Sequence, residues 1–118
     1  TLIVQKLAAN PDAYGFFGYS YYLANKDKIK AAAINGVKPS LEGIQDYSYP
    51  IARPLFFYAK KAHVGVVPGL KEFLDAFTSK KAMGSRGYLT DIGLVPLASD
   101  KYKVTRTAAK DLVTINLK

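Results

Sequence analysis

The chain of 118 residues contains no cysteine. Structural disulfides and cysteine-based zinc sites are therefore excluded, while the compartment stays open, because many exported proteins manage without disulfides. No run of about 18 or more apolar residues occurs, so no segment reads as a membrane-spanning helix. Histidine occurs once, at His63. Any Ser–His–Asp or Cys–His arrangement has to use it, yet its setting among Lys60, Lys61 and Gly65 reads as an exposed loop with too few further ligands for a metal. The carboxylate pairs Glu42/Asp46 and Glu72/Asp75 stand at helical spacing and read as surface charges rather than as an acid–base couple. A Walker loop and a dinucleotide fingerprint are both missing, as are internal repeats and low-complexity linkers. The first residue is Thr1, and residues 2–4 lack the charged start and long apolar middle of a signal peptide. That start is expected of a processed product or of a segment of a longer protein.

What is present describes an ordinary globular domain. Apolar residues make up 49% and charged residues 22%, enough apolar surface to offset the entropy of ordering one core. The formal charge of +8 points toward anions, whether nucleic acid, an anionic surface or a small ligand. Fourteen of the seventeen basic residues are lysines, and only Arg53, Arg86 and Arg106 offer the planar fork that suits phosphate and base edges. The lysines are dispersed, with small clusters at residues 26–30, 60–61, 80–81 and 101–103, so a solvated surface is the preferred reading over a nucleic-acid face. Tyrosines at 14, 19, 21, 22, 47, 49 and 58 alternate with phenylalanines at 16, 17, 56 and 57. This fits a core with phenol tips at its edge better than a stacking platform.

Along the chain, residues 2 to about 9 read as the end of a helix with Leu2, Ile3 and Leu7 on one side, stopped by Asn10-Pro11-Asp12. Residues 14–19 read as a short buried strand with close backbone approach at Gly15 and Gly18, and Ser20 as the cap of a helix through about Asn25. A turn or continuation follows over 26–30. A second strand is expected over 31–37, ending near Asn35-Gly36, and a helix over 41–46 opened by Pro39-Ser40 with Glu42 in its first turn. A loop spans 47–50. The apolar run 55–59 reads as a strand covered on both faces. Leu70, Phe73, Leu74 and Phe77 stand at i, i+3, i+4 and i+7, one stripe of a helix opened by Pro68-Gly69. Another helix is expected over 82–91, interrupted around residues 84–87 and ended by Gly93. A brief extended piece at 94–97, a polar helix-compatible tail over 100–112 and an extended end over 113–118 complete the reading. Short strands alternating with helices predict an α/β layer structure. Gly15-x-x-Gly18-x-Ser20 is the only glycine-framed turn before a helix, a form that can bind an anion through backbone donors, although its large aromatics suit a buried crossover better.

Three stretches carry a family resemblance. Asn10-Pro-Asp-Ala-Tyr14 followed by Gly15-Phe-Phe-Gly-Tyr-Ser-Tyr-Tyr22 is similar to a G-x-x-G-[YF] segment. Ala33-Ile-Asn-Gly-Val-Lys-Pro-Ser40 with Tyr49-Pro-Ile-Ala-Arg-Pro-Leu-Phe-Phe-Tyr58 resembles I-N-G-V-x-P and Y-P-[IL]-[SA]-R-P-L-[FY]. Pro68-Gly-Leu-Lys-Glu-Phe-Leu74, running to Gly87-Tyr-Leu-Thr-Asp-Ile-Gly-Leu-Val-Pro-Leu97, resembles a closing G-Y-x-x-x-G-L-[IV]-P-L. In this order they resemble the C-terminal part of periplasmic phosphate-binding receptors of ABC-type importers.

The resemblance implies an α/β fragment of a two-lobed type II periplasmic-binding-protein fold. On it, residues 1–118 form a single fragment domain, about 1–20 include the crossover between lobes, and about 98–118 are a C-terminal tail. It implies a non-enzymatic bacterial periplasmic receptor that needs no cofactor and whose partners are inorganic phosphate, through the full-length protein, and ABC permease subunits, without nucleic acid. The family's phosphate contacts come mainly from Ser/Thr-Gly loops, helix N-termini, an Asp and an Arg. No Ser-Gly-x-Gly-Thr or Arg-x-x-x-Ser-Gly-Thr occurs here, so the main ligands are expected outside this segment. Gly15, Gly18, Tyr19, Ser20 and Arg53 remain candidates for the cleft or hinge. Self-association of the chain is also expected. Two alternatives stay open: a basic module binding nucleic acid or an acidic protein partner, and a receptor for a different oxyanion.

Overall fold

The computed structural model describes residues 2–116. Thr1 and the last two residues of the expected extended end, 117–118, lie outside the described residues. The chain divides into two compact units, residues 2–52 with 92–95 and residues 53–91 with 96–116.

In the first unit, α1 (Leu2–Ala9) ends where Asn10 Oδ1 accepts a 3.2 Å bond from the Asp12 amide, a local turn that competes with the helix ladder. Its inward side chains are Ile3, Val4 and Leu7, with Val4 buried; Leu2 faces out at 67% exposure, against expectation. The helix α2 (Tyr19–Leu23) is followed by turns over 24–28. Asn35 and Gly36 both have positive φ, 50° and 79°. They form a two-residue turn closed by the Ile34 and Val37 amides donating to each other's carbonyls at 2.9 and 3.0 Å. Ser40 then caps α3 (Leu41–Gln45) by accepting from the Gly43 amide at 2.9 Å, with Glu42 in the first turn as expected. Val4, Ile29 and Ala52 are the buried apolar side chains here.

In the second unit, a 3₁₀ turn (Lys61–His63) precedes α4 (Leu70–Phe77), whose apolar stripe matches its sequence period. Phe57, Phe73 and Phe77 form a ring cluster with centroids 4.9 to 5.8 Å apart. Ser79 accepts from the Ala82 amide and caps α5 (Lys80–Met83), and after the break at 84–87 comes α6 (Tyr88–Asp91), so the expected interruption is present. The polar tail forms α7 (Ser99–Lys110). Leu74, Ala82 and Tyr102 are buried between these helices, with Thr78.

The strands expected over 14–19, 31–37 and 55–59 do not form among the described residues, where only two isolated bridges, Ile34–Val37 and Val64–Val67, are found. The apolar run is not covered either: Leu55 is 81% exposed, Phe56 69% and Tyr58 62%. A helix satisfies its own backbone within four residues, whereas a strand needs a neighbouring ladder. High strand propensity at Phe56 and Phe57 supplies no such neighbour.

Candidate functional site

Gly15, Gly18, Tyr19 and Ser20 belong to the first unit, and Arg53 begins the second. Gly15 lies against α1: a Cβ placed on it would sit 2.7 Å from Leu7 Cδ1, the close approach expected of this position. Gly18 is different. It is the extended residue before α2, with φ −64° and ψ 145°, and a Cβ there would meet Tyr21 only at 3.7 Å. No side chain caps α2, so Ser20 is an internal helical residue and not the cap that the sequence suggested. It has another role in packing. Gly93 approaches it so closely that a Cβ on Gly93 would lie 2.5 Å from Ser20 Cβ and 2.9 Å from its Cα. Gly93 also has φ 91°, a conformation that glycine adopts at little cost. The segment 92–95 therefore seats on α2 only with glycine at this point.

The Tyr19 and Tyr22 rings lie 5.9 Å apart. Burial pushes the Tyr19 phenol above its usual pKa, and the neighbouring Tyr22 adds to the shift. The Lys26 ammonium stands 5.8 Å above the Tyr22 ring. Tyr14 and Phe16 point outward at 94% and 80% exposure, so the segment expected as a buried strand is an exposed aromatic connection. Arg53 is exposed at the start of an irregular stretch. His63 lies exposed in the 3₁₀ turn, as its neighbours suggested. Among the described residues no group of three or more His, Asp or Glu side chains converges on a metal position, and no helix is long and apolar enough to cross a membrane.

The second unit holds a polar network that the sequence did not reveal. Arg106 Nη2 donates to Asp75 Oδ1 at 3.0 Å, while Nη1 donates to the Asp75 carbonyl at 3.1 Å and to Thr78 Oγ1 at 3.2 Å. The Tyr102 hydroxyl donates to the Thr78 carbonyl at 3.0 Å, and the Thr78 hydroxyl to the Leu74 carbonyl at 2.8 Å. These bonds tie α7 to the C-terminal end of α4 and satisfy the buried Thr78 hydroxyl. Tyr102 and Arg106 stand at i and i+4 on an otherwise polar helix. That spacing was visible, but their partners, 24 to 31 residues earlier, were not.

Comparison with known proteins adds a family. Residues 3–81 match the family described as the PBP superfamily domain. The chain is similar to the phosphate-binding protein PstS of Staphylococcus saprophyticus, 28% identical over 117 residues, covering 95% of this chain and 35% of the relative. It is 33% identical over 107 residues to the PstS of Staphylococcus haemolyticus, covering 86% and 33%. It is 36% identical over 112 residues to the protein SphX of Synechococcus elongatus, covering 86% and 30%. The chain thus spans about a third of the length of these relatives. No solved structure matches it.

Proposed function

The chain belongs to the PBP superfamily, and from that premise we propose that it is the C-terminal part of a non-enzymatic extracytoplasmic receptor that binds inorganic phosphate and delivers it to an ABC importer. The observation that carries this reading is the coincidence of two things. The three family-like stretches occur in order along the chain, and relatives named as phosphate-binding proteins align with 86% to 95% of it. Ligand in such a receptor favours the closed arrangement of two lobes through its differential affinity for that state.

In this proposal the chain forms one fragment domain that frames and hinges the cleft. Gly15, Gly18, Tyr19 and Ser20 belong to the crossover, Arg53 to the rim, and the main phosphate ligands to the rest of the receptor. The exposed run 55–58 takes its strand partners there. In the isolated chain its open apolar surface favours self-association.

Calorimetry with inorganic phosphate on the full-length parent and on this chain tests the reading. Micromolar binding by the parent and none by the chain is expected. Tight binding by the chain overturns the division of labour. A parent that ignores phosphate but binds sulfate or another oxyanion replaces the ligand. A parent retained on duplex DNA with a steep salt dependence replaces the function with nucleic-acid binding.

A further inference from the structure

The sequence spreads its lysines thinly, but folding gathers some of them. Of the described residues, the second unit holds eleven basic and five acidic side chains, and the first holds five and four. Most of the excess positive charge therefore lies on one unit. Within it, α5 and α7 border an open groove of about 440 Å³ lined by Lys80, Tyr102, Lys103, Arg106, Thr107 and Lys110. Among the described residues no carboxylate lines it. Arg106 is already oriented and partly neutralised by Asp75, whereas Lys80, Lys103 and Lys110 have no carboxylate partner among the described residues.

We propose that this groove is a docking site for an acidic segment of a partner protein. On α7, residues 103, 107 and 110 stand at i, i+4 and i+7, a row of donors about 10 Å long on one face. Lys80, at the start of α5, also lines the groove. A segment with carboxylates repeating every helical turn or every second extended residue presents acceptors at matching intervals.

The same geometry disfavours other anions. The groove is open to solvent and therefore does not enclose a single small oxyanion. Nucleic-acid sites use guanidinium forks and exposed stacking aromatics. Here the one guanidinium is bonded to Asp75 and Thr78, and the one aromatic, Tyr102, is buried.

Docking is independent of phosphate binding and is measured separately. A nitrogen-labelled sample of the chain is titrated with an oligoglutamate peptide at low ionic strength and followed by amide resonances. Shifts are expected to cluster at Lys80, Lys103, Thr107 and Lys110. The double variant Lys103→Glu/Lys110→Glu, which removes two pairings and adds repulsion, is expected to bind about tenfold more weakly. Lys103→Gln/Lys110→Gln is expected to fall between it and the unaltered chain. The double variant Lys60→Glu/Lys61→Glu, in the same unit but outside the groove, should stay within about twofold, since distant exposed charges are screened. Well-dispersed spectra of each variant establish that it is folded. The proposal is overturned if shifts spread over all lysines and both Glu variants weaken binding alike. It is overturned equally if inorganic phosphate alone reproduces the groove shifts, or if duplex DNA or phosphatidylglycerol vesicles bind more tightly than oligoglutamate.

Discussion

The phenol of Tyr102 donates a 3.0 Å hydrogen bond to the carbonyl of Thr78, 24 residues earlier in the chain. Both residues are buried, at 9% and 6% exposure, so neither group can turn to bulk water for another partner. Tyr102→Phe keeps the ring and strands the carbonyl. A loss of about 1 to 2 kcal/mol is expected, the usual cost of a buried group left unsatisfied, read as a lower midpoint in urea unfolding. An unchanged midpoint would show that the bond contributes nothing net.

The contact between Gly93 and Ser20 predicts an unequal pair of substitutions. Gly36→Ala meets nothing within 4 Å and carries only the penalty of φ 79°, about 1 to 2 kcal/mol for a residue with a Cβ. Gly93→Ala carries a similar penalty at φ 91° and in addition drives its Cβ into Ser20, including that residue's backbone. Unfolding measurements should therefore rank Gly93→Ala as the more damaging. Equal losses would mean that segment 92–95 shifts freely on α2.

Ser40 and Ser79 cap short helices with different geometry. Ser40 Oγ accepts from Gly43 at 2.9 Å, and Ser79 Oγ accepts from Ala82 at 3.3 Å. Ser40→Ala is expected to cost about 1 kcal/mol, a typical capping loss. Ser79→Ala should cost less through its cap, although its hydroxyl also donates to the Ala76 carbonyl at 2.6 Å. Thermal melts of the two variants compare them directly, and the reverse order would make that second bond the more important one.

Asp46 sets an acid-side dependence. Its Oδ1 accepts from the Ser48 amide at 2.8 Å, and this bond holds the exposed carboxyl below its usual pKa. The folded state therefore favours the ionised form. The contribution is fully present above the unfolded-state value and is lost as pH falls through the folded-state value. Asp46→Asn can keep an acceptor for Ser48 without titrating. Its urea midpoint should decline less steeply on acidification than that of the unaltered chain, and identical profiles would remove Asp46 from the acid response.

Much was determined locally by the sequence. Ser40 with Glu42 marked the start of α3, the period of Leu70, Phe73, Leu74 and Phe77 marked α4, Asn35-Gly36 marked its turn, and the ordered stretches marked the family. Each depends on residues within about two helical turns, or on a linear motif, so each can be read without a fold. Tertiary structure decided the rest. The aromatic run at 55–58 is as apolar as a buried strand, but a strand exists only with a partner, and none is paired with it here. Tyr102 and Arg106 gained their meaning from Thr78 and Asp75, and Lys80 from Lys103 and Lys110. Such pairings join residues distant in sequence, and only the path of the chain through space brings them within hydrogen-bonding or Coulombic range.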